Sequence, residues 1–250
     1  MARSIVTNRT KIDNMPFMVS FNGSQRIALT TMGDLGSNLD GEFSFAIWVN
    51  TNSKLTTPQY FLGESNSAGG MFVLFGITRT SAKVGIPQFQ LRDASGRILA
   101  VEINNKRIDD GKNHLIEYKK DANNNVAGVT VLIDGAQQTL NTITDAGYAD
   151  PADFNRAAGI GASLGSGAVA SGFVGKASRP FLWKRKYTAA ESAELWKNRV
   201  LPAGEFAGYK CNEGAGTAVA DTKATHNGTL TAAGQWTAQT PYKSRSLRTF

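Results

Sequence analysis

The chain has 250 residues, of which 41% are hydrophobic, 19% charged and 26 are glycines, a balance that excludes a disordered or fibrous protein and suits one large domain. A single cysteine, Cys211, excludes an internal disulfide or a CxxC site, and two histidines, His114 and His226, argue against a zinc cluster. The net charge is +7, and six of the cations (Arg3, Arg9 and Lys11; Lys243, Arg245 and Arg248) sit in acid-free stretches at the two ends, leaving the rest nearly neutral.

That distribution is one of cationic tails. A nucleic-acid binder would carry a basic stripe on its folded surface, so nucleic acid is not an expected partner. Residues 1–16 lack the apolar stretch of a signal peptide. No run of ~18 apolar residues exists, so neither a membrane helix nor a membrane partner is expected, and synthesis in a cytoplasm is.

Taken in chain order, the pattern is almost wholly that of strands. Candidates fall at 17–21, 25–30, 43–50, 59–63, 71–78, 87–92, 97–103, 113–119 and 129–133, then at 157–162, 173–186, 206–211 and 228–231. The clearest alternation is Phe43, Phe45, Ile47 and Val49 against Ser44, Ala46 and Trp48. Turn chemistry separates the strands: Asn22-Gly23, Asp134-Gly135 and Asn227-Gly228 tolerate the positive φ of tight hairpins, and Ser95-Gly96 and Asp110-Gly111 break others. The small-residue run 159–172 reads either as a mobile loop or as a thin strand region permitting close approach.

One helix stands out. Thr188 and Glu191 form a capping box, Ala189, Ala193, Trp196 and Val200 share a face, and Pro202 ends it. Many short strands, one helix and long Gly/Asn/Ser/Thr connections predict an all-β sandwich of two antiparallel sheets, with the helix plugging an end or edge.

Several blocks carry a resemblance. FNGSQRIAL (21–29), FSFAIWVN (43–50), the paired stretch within 112–138, the strand and helix of 172–195 and GYKCNEGAGTAVADTKATHNGTL (208–230) together resemble concanavalin A-like, laminin G-like jelly-roll domains. The last block is the most specific in residue order. In many members of that family it opens the domain, whereas here it follows the helix. The expected organisation is therefore a basic arm (1–16), one jelly roll (17–242) completed by a C-terminal strand pair (206–237) in permuted order, and a basic tail (243–250).

The resemblance implies binding or structural display more often than chemistry, including display on bacteriophage particles. Glucanases of this fold need clustered carboxylates on one strand, and no Glu-x-Asp-x-x-Glu occurs: Glu102 is alone, Glu117 neighbours Lys119 and Lys120, and Glu191 and Glu194 are helical. Gly161–Gly165 matches G-x-S-x-G around Ser163, with Asp221 and His226 downstream, but lacks a strand–turn–helix setting. The stretch from Asp121 begins like a calcium loop and then fails, with Val126 and Leu132 where Gly and Glu are required. The resemblance nonetheless makes Asp121 and Asp134 candidates for a rim calcium, the only cofactor entertained. Trp48 and Tyr60 are the candidates to face a glycan, whereas Trp196, His114 and Cys211 read as packed residues.

The resulting expectation is a non-enzymatic virion protein that decorates a capsid or forms a head fibre. Its termini would grip capsid or other virion proteins, with self-association. The alternative is a lectin-like adhesion or receptor-binding module for a cell-surface glycan.

Overall fold

The computed structural model describes residues 17–29, 41–54, 57–64, 72–77, 84–93, 95–149, 158–165, 168–232 and 235–238. The basic residues Arg3, Arg9, Lys11, Lys243, Arg245 and Arg248 lie outside them. The strands are β1 (Phe17–Asn22), β2 (Ile27–Leu29), β3 (Phe43–Asn50), β4 (Gln59–Glu64), β5 (Phe72–Ile77), β6 (Pro87–Arg92), β7 (Ile98–Ile103), β8 (Asn113–Lys120), β9 (Val129–Ile133), β10 (Ala136–Gln137) and β11 (Leu140–Asp145). There follow β12 (Ala158–Ile160), β13 (Ala162–Gly165), β14 (Ala168–Gly172), β15 (Val174–Trp183), helix α1 (Ala189–Asn198), β16 (Ala207–Gly208), β17 (Ala218–Val219), β18 (Gly228–Leu230) and β19 (Trp236–Ala238).

Two large antiparallel sheets result, with β13 and β14 paired as a separate two-stranded ribbon. The first runs β10-β9-β8-β3-β15-β1-β19, with β16 also on β15; the second runs β11-β7-β6-β5-β4-β12-β2-β18-β17. The C-terminal strands are shared between them, since β17–β18 hydrogen-bonds β2 and β19 hydrogen-bonds β1. Between the sheets, the inward residues of β3 (Phe43, Phe45, Ile47, Val49) meet Phe75, Phe89, Leu91 and Val101 of the second sheet. The centre is aromatic: Phe75 stacks on Phe45, Phe89 and Tyr118 with centroids 5.2–5.4 Å apart. The Tyr118 hydroxyl, fully buried, donates to the Gly76 carbonyl at 3.0 Å, so the one polar group of the stack bridges the sheets with its hydrogen bond made.

A smaller core lies on the other side of the first sheet. Ala46, Trp48, Leu115, Phe181 and Trp183 point outward from it and are covered by Tyr187, Leu195 and Leu201. The capping box forms as expected, with Thr188 Oγ1 accepting from the Glu191 amide and Glu191 Oε2 accepting from the Thr188 amide. The helix face differs from the expected one. Ser192 and Leu195 are its buried residues, Ala189 is exposed and Trp196 is half-buried. Ser192 reads as polar in a hydrophobic pattern, but its hydroxyl is matched by a buried lysine, Lys119, at 2.7 Å.

The small-residue run forms strands. A Cβ on Gly161 would lie 2.3 Å from the Phe21 ring, and one on Gly172 would lie 1.9 Å from the Gly23 carbonyl oxygen. The chain packs too tightly there for larger residues.

Candidate functional site

The outer face of the second sheet combines regular alternation with half-exposed polar groups. In β6 the residues Pro87, Phe89 and Leu91 are buried inward, so Gln88, Gln90 and Arg92 face out and are half-exposed. Cross-strand register extends this into a row. Tyr60 pairs with Gly76, Gly76 with Gln88, Gln88 with Glu102, and Glu102 with Asn141, across β4, β5, β6, β7 and β11. Beside it Leu74, Gln90, Ala100 and Thr144 form a second row. Tyr60, Gln88 and Asn141 are half-exposed, while Glu102 is buried in the floor.

Gly76 shapes this row. A Cβ there would lie 2.1 Å from the Gln59 carbonyl oxygen and 2.9 Å from Cδ1 of Tyr60, so the Tyr60 ring lies directly against the glycine. A β-bulge between Tyr60 and Leu62 accompanies the change of register and turns both Phe61 and Leu62 into the core, leaving Tyr60 outward. Gln88 and Gln90 approach at 3.4 Å, Nε2 to Oε1. Sequence reasoning named Tyr60 but missed its amide companions, although the alternation of PQFQLR carried the signal.

Trp48 requires a correction. It lies on the predicted outward face of β3 but is 1% exposed, sealed beneath α1, with the Arg199 guanidinium 5.3 Å from its ring. A residue under a docked helix cannot meet a glycan. The same layer holds Glu117, whose Oε2 accepts from the Tyr187 hydroxyl at 2.7 Å, and Lys119, which donates to Ser192 Oγ. Burial raises the Glu117 pKa against the pull of Tyr187 and Lys119, and burial lowers that of Lys119 against the attraction of Glu117.

The two calcium candidates are engaged internally. Asp121 Oδ1 accepts from the Asn123 amide at 2.8 Å and Oδ2 lies 3.4 Å from Lys186 Nζ. Asp134, in a left-handed conformation (φ 53°), accepts from the Leu115 amide through Oδ1 and meets His114 Nδ1 through Oδ2 at 2.8 Å. His114 Nε2 lies 3.0 Å from Asp110 Oδ1. Carboxylates on both ring nitrogens call for both to carry protons, and the Asp134 contact raises the His114 pKa against the opposing effect of burial. No group of three or more His, Cys, Asp or Glu placed to hold a metal occurs among the described residues.

Of the G-x-S-x-G match, Gly161 sits at the bend after β12 and residues 162–165 form the strand β13, paired with β14. Asp221 instead organises the C-terminal block, accepting from the amides of Gly208, Thr225 and His226 and from the Thr225 hydroxyl. Burial opposes its ionisation, but the backbone amides outweigh that and lower its pKa. Glu213 accepts from the Ala220 amide and Asn227 from the Asp221 amide, so the residues that make this block recognisable are its internal fastenings. Cys211 is buried, and burial pushes its thiol up to about 12.

No family model and no curated protein matches the chain. Solved structures do. A Bacteroides ovatus protein described as carbohydrate-binding aligns with a TM-score of 0.67 over 91% of this chain, at 16% identity. The chain spans 61% of that protein's length. The CBM40 module of the Ruminococcus gnavus IT-sialidase aligns at 0.52, over 71% of this chain and 97% of that one, at 12% identity. At such identities the likeness is one of fold: a two-sheet jelly roll of the concanavalin A-like kind.

Proposed function

We propose that this chain is a carbohydrate-binding module that holds a glycan without cleaving it. The observation that carries this reading is the half-exposed row of Tyr60, Gln88 and Asn141 on the outer face of the second sheet. Side-chain amides both donate and accept, which suits adjacent sugar hydroxyls, and an aromatic ring suits the C–H face of a pyranose. The two structural neighbours described as carbohydrate-binding support it. Binding without hydrolysis fits the carboxylates, since retaining cleavage needs two about 5–5.5 Å apart. Glu102 is the one carboxylate in the row, and Glu117 is sealed under α1. Glycan-array binding by the full chain tests the reading, which fails if no glycan is retained.

A second reading, attachment to a bacteriophage virion, rests on the six cations gathered in residues 1–11 and 243–250. Cationic ends around a nearly neutral body suit an acidic protein surface. It expects co-sedimentation with capsids that is lost when 1–16 or 243–250 is deleted; attachment surviving both deletions rejects it.

A further inference from the structure

We propose that the outer face of the second sheet takes an uncharged glycan laid across the strands, about four sugar rings long from Tyr60 to Asn141. This rests on the carbohydrate-binding reading above and adds the class, length and direction of the ligand.

Direction follows from register. Along a strand the outward groups change character: β6 presents Gln88, Gln90 and Arg92, and β5 presents Gly76 and Leu74. Across the strands the paired row Tyr60–Gly76–Gln88–Glu102–Asn141 is polar at every position that has a side chain. A chain lying along this row meets a hydrogen-bonding group at nearly every step. A chain lying along β5 or β7 does not, since those strands present Leu74 and Gly76, and Ile98 and Ala100, and along β6 it meets three such groups, Gln88, Gln90 and Arg92.

Length follows from sheet geometry. Strands spaced ~4.8 Å apart make a five-strand row ~19 Å long, and a pyranose repeat of about 5 Å then fills it with roughly four rings. Gly76 provides the first seat. Its lack of a side chain lets the Tyr60 ring lie directly against the sheet beside Gln88, the partner of Gly76 on the next strand, so the ring itself is the platform. The floor of that seat is fixed from below, because the Tyr118 hydroxyl holds the Gly76 carbonyl.

Charge selects the class. Among the described outward residues of β4–β7, Arg92 and Glu102 bear opposite formal charges, and the neighbours in the two rows are amides, hydroxyls and apolar groups. The charge excess of the chain lies in its ends. A sulfated or uronic chain therefore gains no net attraction on this face, while a neutral chain loses nothing.

The test is calorimetric titration of the full chain with gluco-, xylo-, manno- and galacto-oligosaccharides of one to six residues, with heparin oligosaccharides as the charged arm. Affinity should rise with length in at least one neutral series and level off at about four residues. Tyr60→Ala and Asn141→Ala should each weaken the tetrasaccharide about tenfold with little change in the thermal midpoint. Asn141→Ala should leave the disaccharide within about twofold, because a ligand that short reaches only the Tyr60 end. A monosaccharide binding as tightly as the tetrasaccharide, or salt-sensitive binding of heparin alone, overturns the length or the class. Tight binding that survives both substitutions overturns the location but leaves the carbohydrate reading standing. Retention of no glycan at all overturns both.

Discussion

The two outer faces of the sandwich start from the same strand alternation and end in opposite conditions. On the first sheet the outward residues Ala46, Trp48, Leu115 and Trp183 are apolar, and α1 with Leu201 closes over them into a second core. On the second sheet the outward residues Gln88, Gln90, Tyr60 and Asn141 are polar or amphipathic and keep partial contact with solvent. An aromatic residue is thus no guide to a ligand face until its cover is known. Trp48 and Tyr60 both point away from the main core, and only Tyr60 retains access.

The sharpest way to break this contrast is Trp48→Ala. It removes the indole held between the sheet, the helix and Arg199, and should cost about 3–5 kcal/mol in chemical denaturation. A loss below about 1 kcal/mol would place Trp48 outside the packed layer. Next comes Lys119→Met, which leaves Glu117 without its buried cation and should cost about 3 kcal/mol at neutral pH. Adding Glu117→Gln should recover part of that loss; if the double variant is no more stable than the single, the two residues are not coupled.

A smaller effect is expected from His114, at the end of β8. Its folded pKa is raised, so the stability it contributes is fully present below its unfolded value of about 6.5 and is lost as pH rises through the folded value. His114→Gln should flatten the stability profile in that window. Asp110 acts in the opposite sense. Burial would raise its pKa, but the Lys112 amide and His114 bring it down to about 2, so its contribution holds above about 3.9 and fades as pH falls through about 2. The smallest change in stability is expected from Tyr60→Ala, about 1 kcal/mol or less by thermal unfolding, against a large loss of glycan retention. A large destabilisation would make Tyr60 a core residue like Trp48 and erase the difference between the faces.

Much of the architecture was legible because it depends on local chemistry. Period-two alternation marked β3, strand-forming runs at 87–92 and 129–133 marked β6 and β9, and Asp134-Gly135 turns the chain between β9 and β10 with positive φ at both residues. The capping box of Thr188 and Glu191 marked the start of α1. The buried face of α1 was not legible, because Ser192 and Leu195 replace the expected Ala189, Ala193 and Val200. That choice depends on Lys119, more than seventy positions earlier. The candidate site was half legible for the same reason: Tyr60 was identifiable alone, but its row required the register of five strands.

By itself the sequence determined the all-β class, the positions of most strands and turns, and the confinement of its cationic excess to the two ends. These follow from side-chain periodicity, turn conformation and charge, all of which act over a few residues. Only the tertiary structure decided that the block from Ala207 to Ala238 supplies strands to both sheets, that Trp48 is roofed while Tyr60 is not, and that Asp121 and Asp134 spend their oxygens on neighbouring protein groups. Those outcomes turn on which distant segments bury one another, which no local pattern encodes.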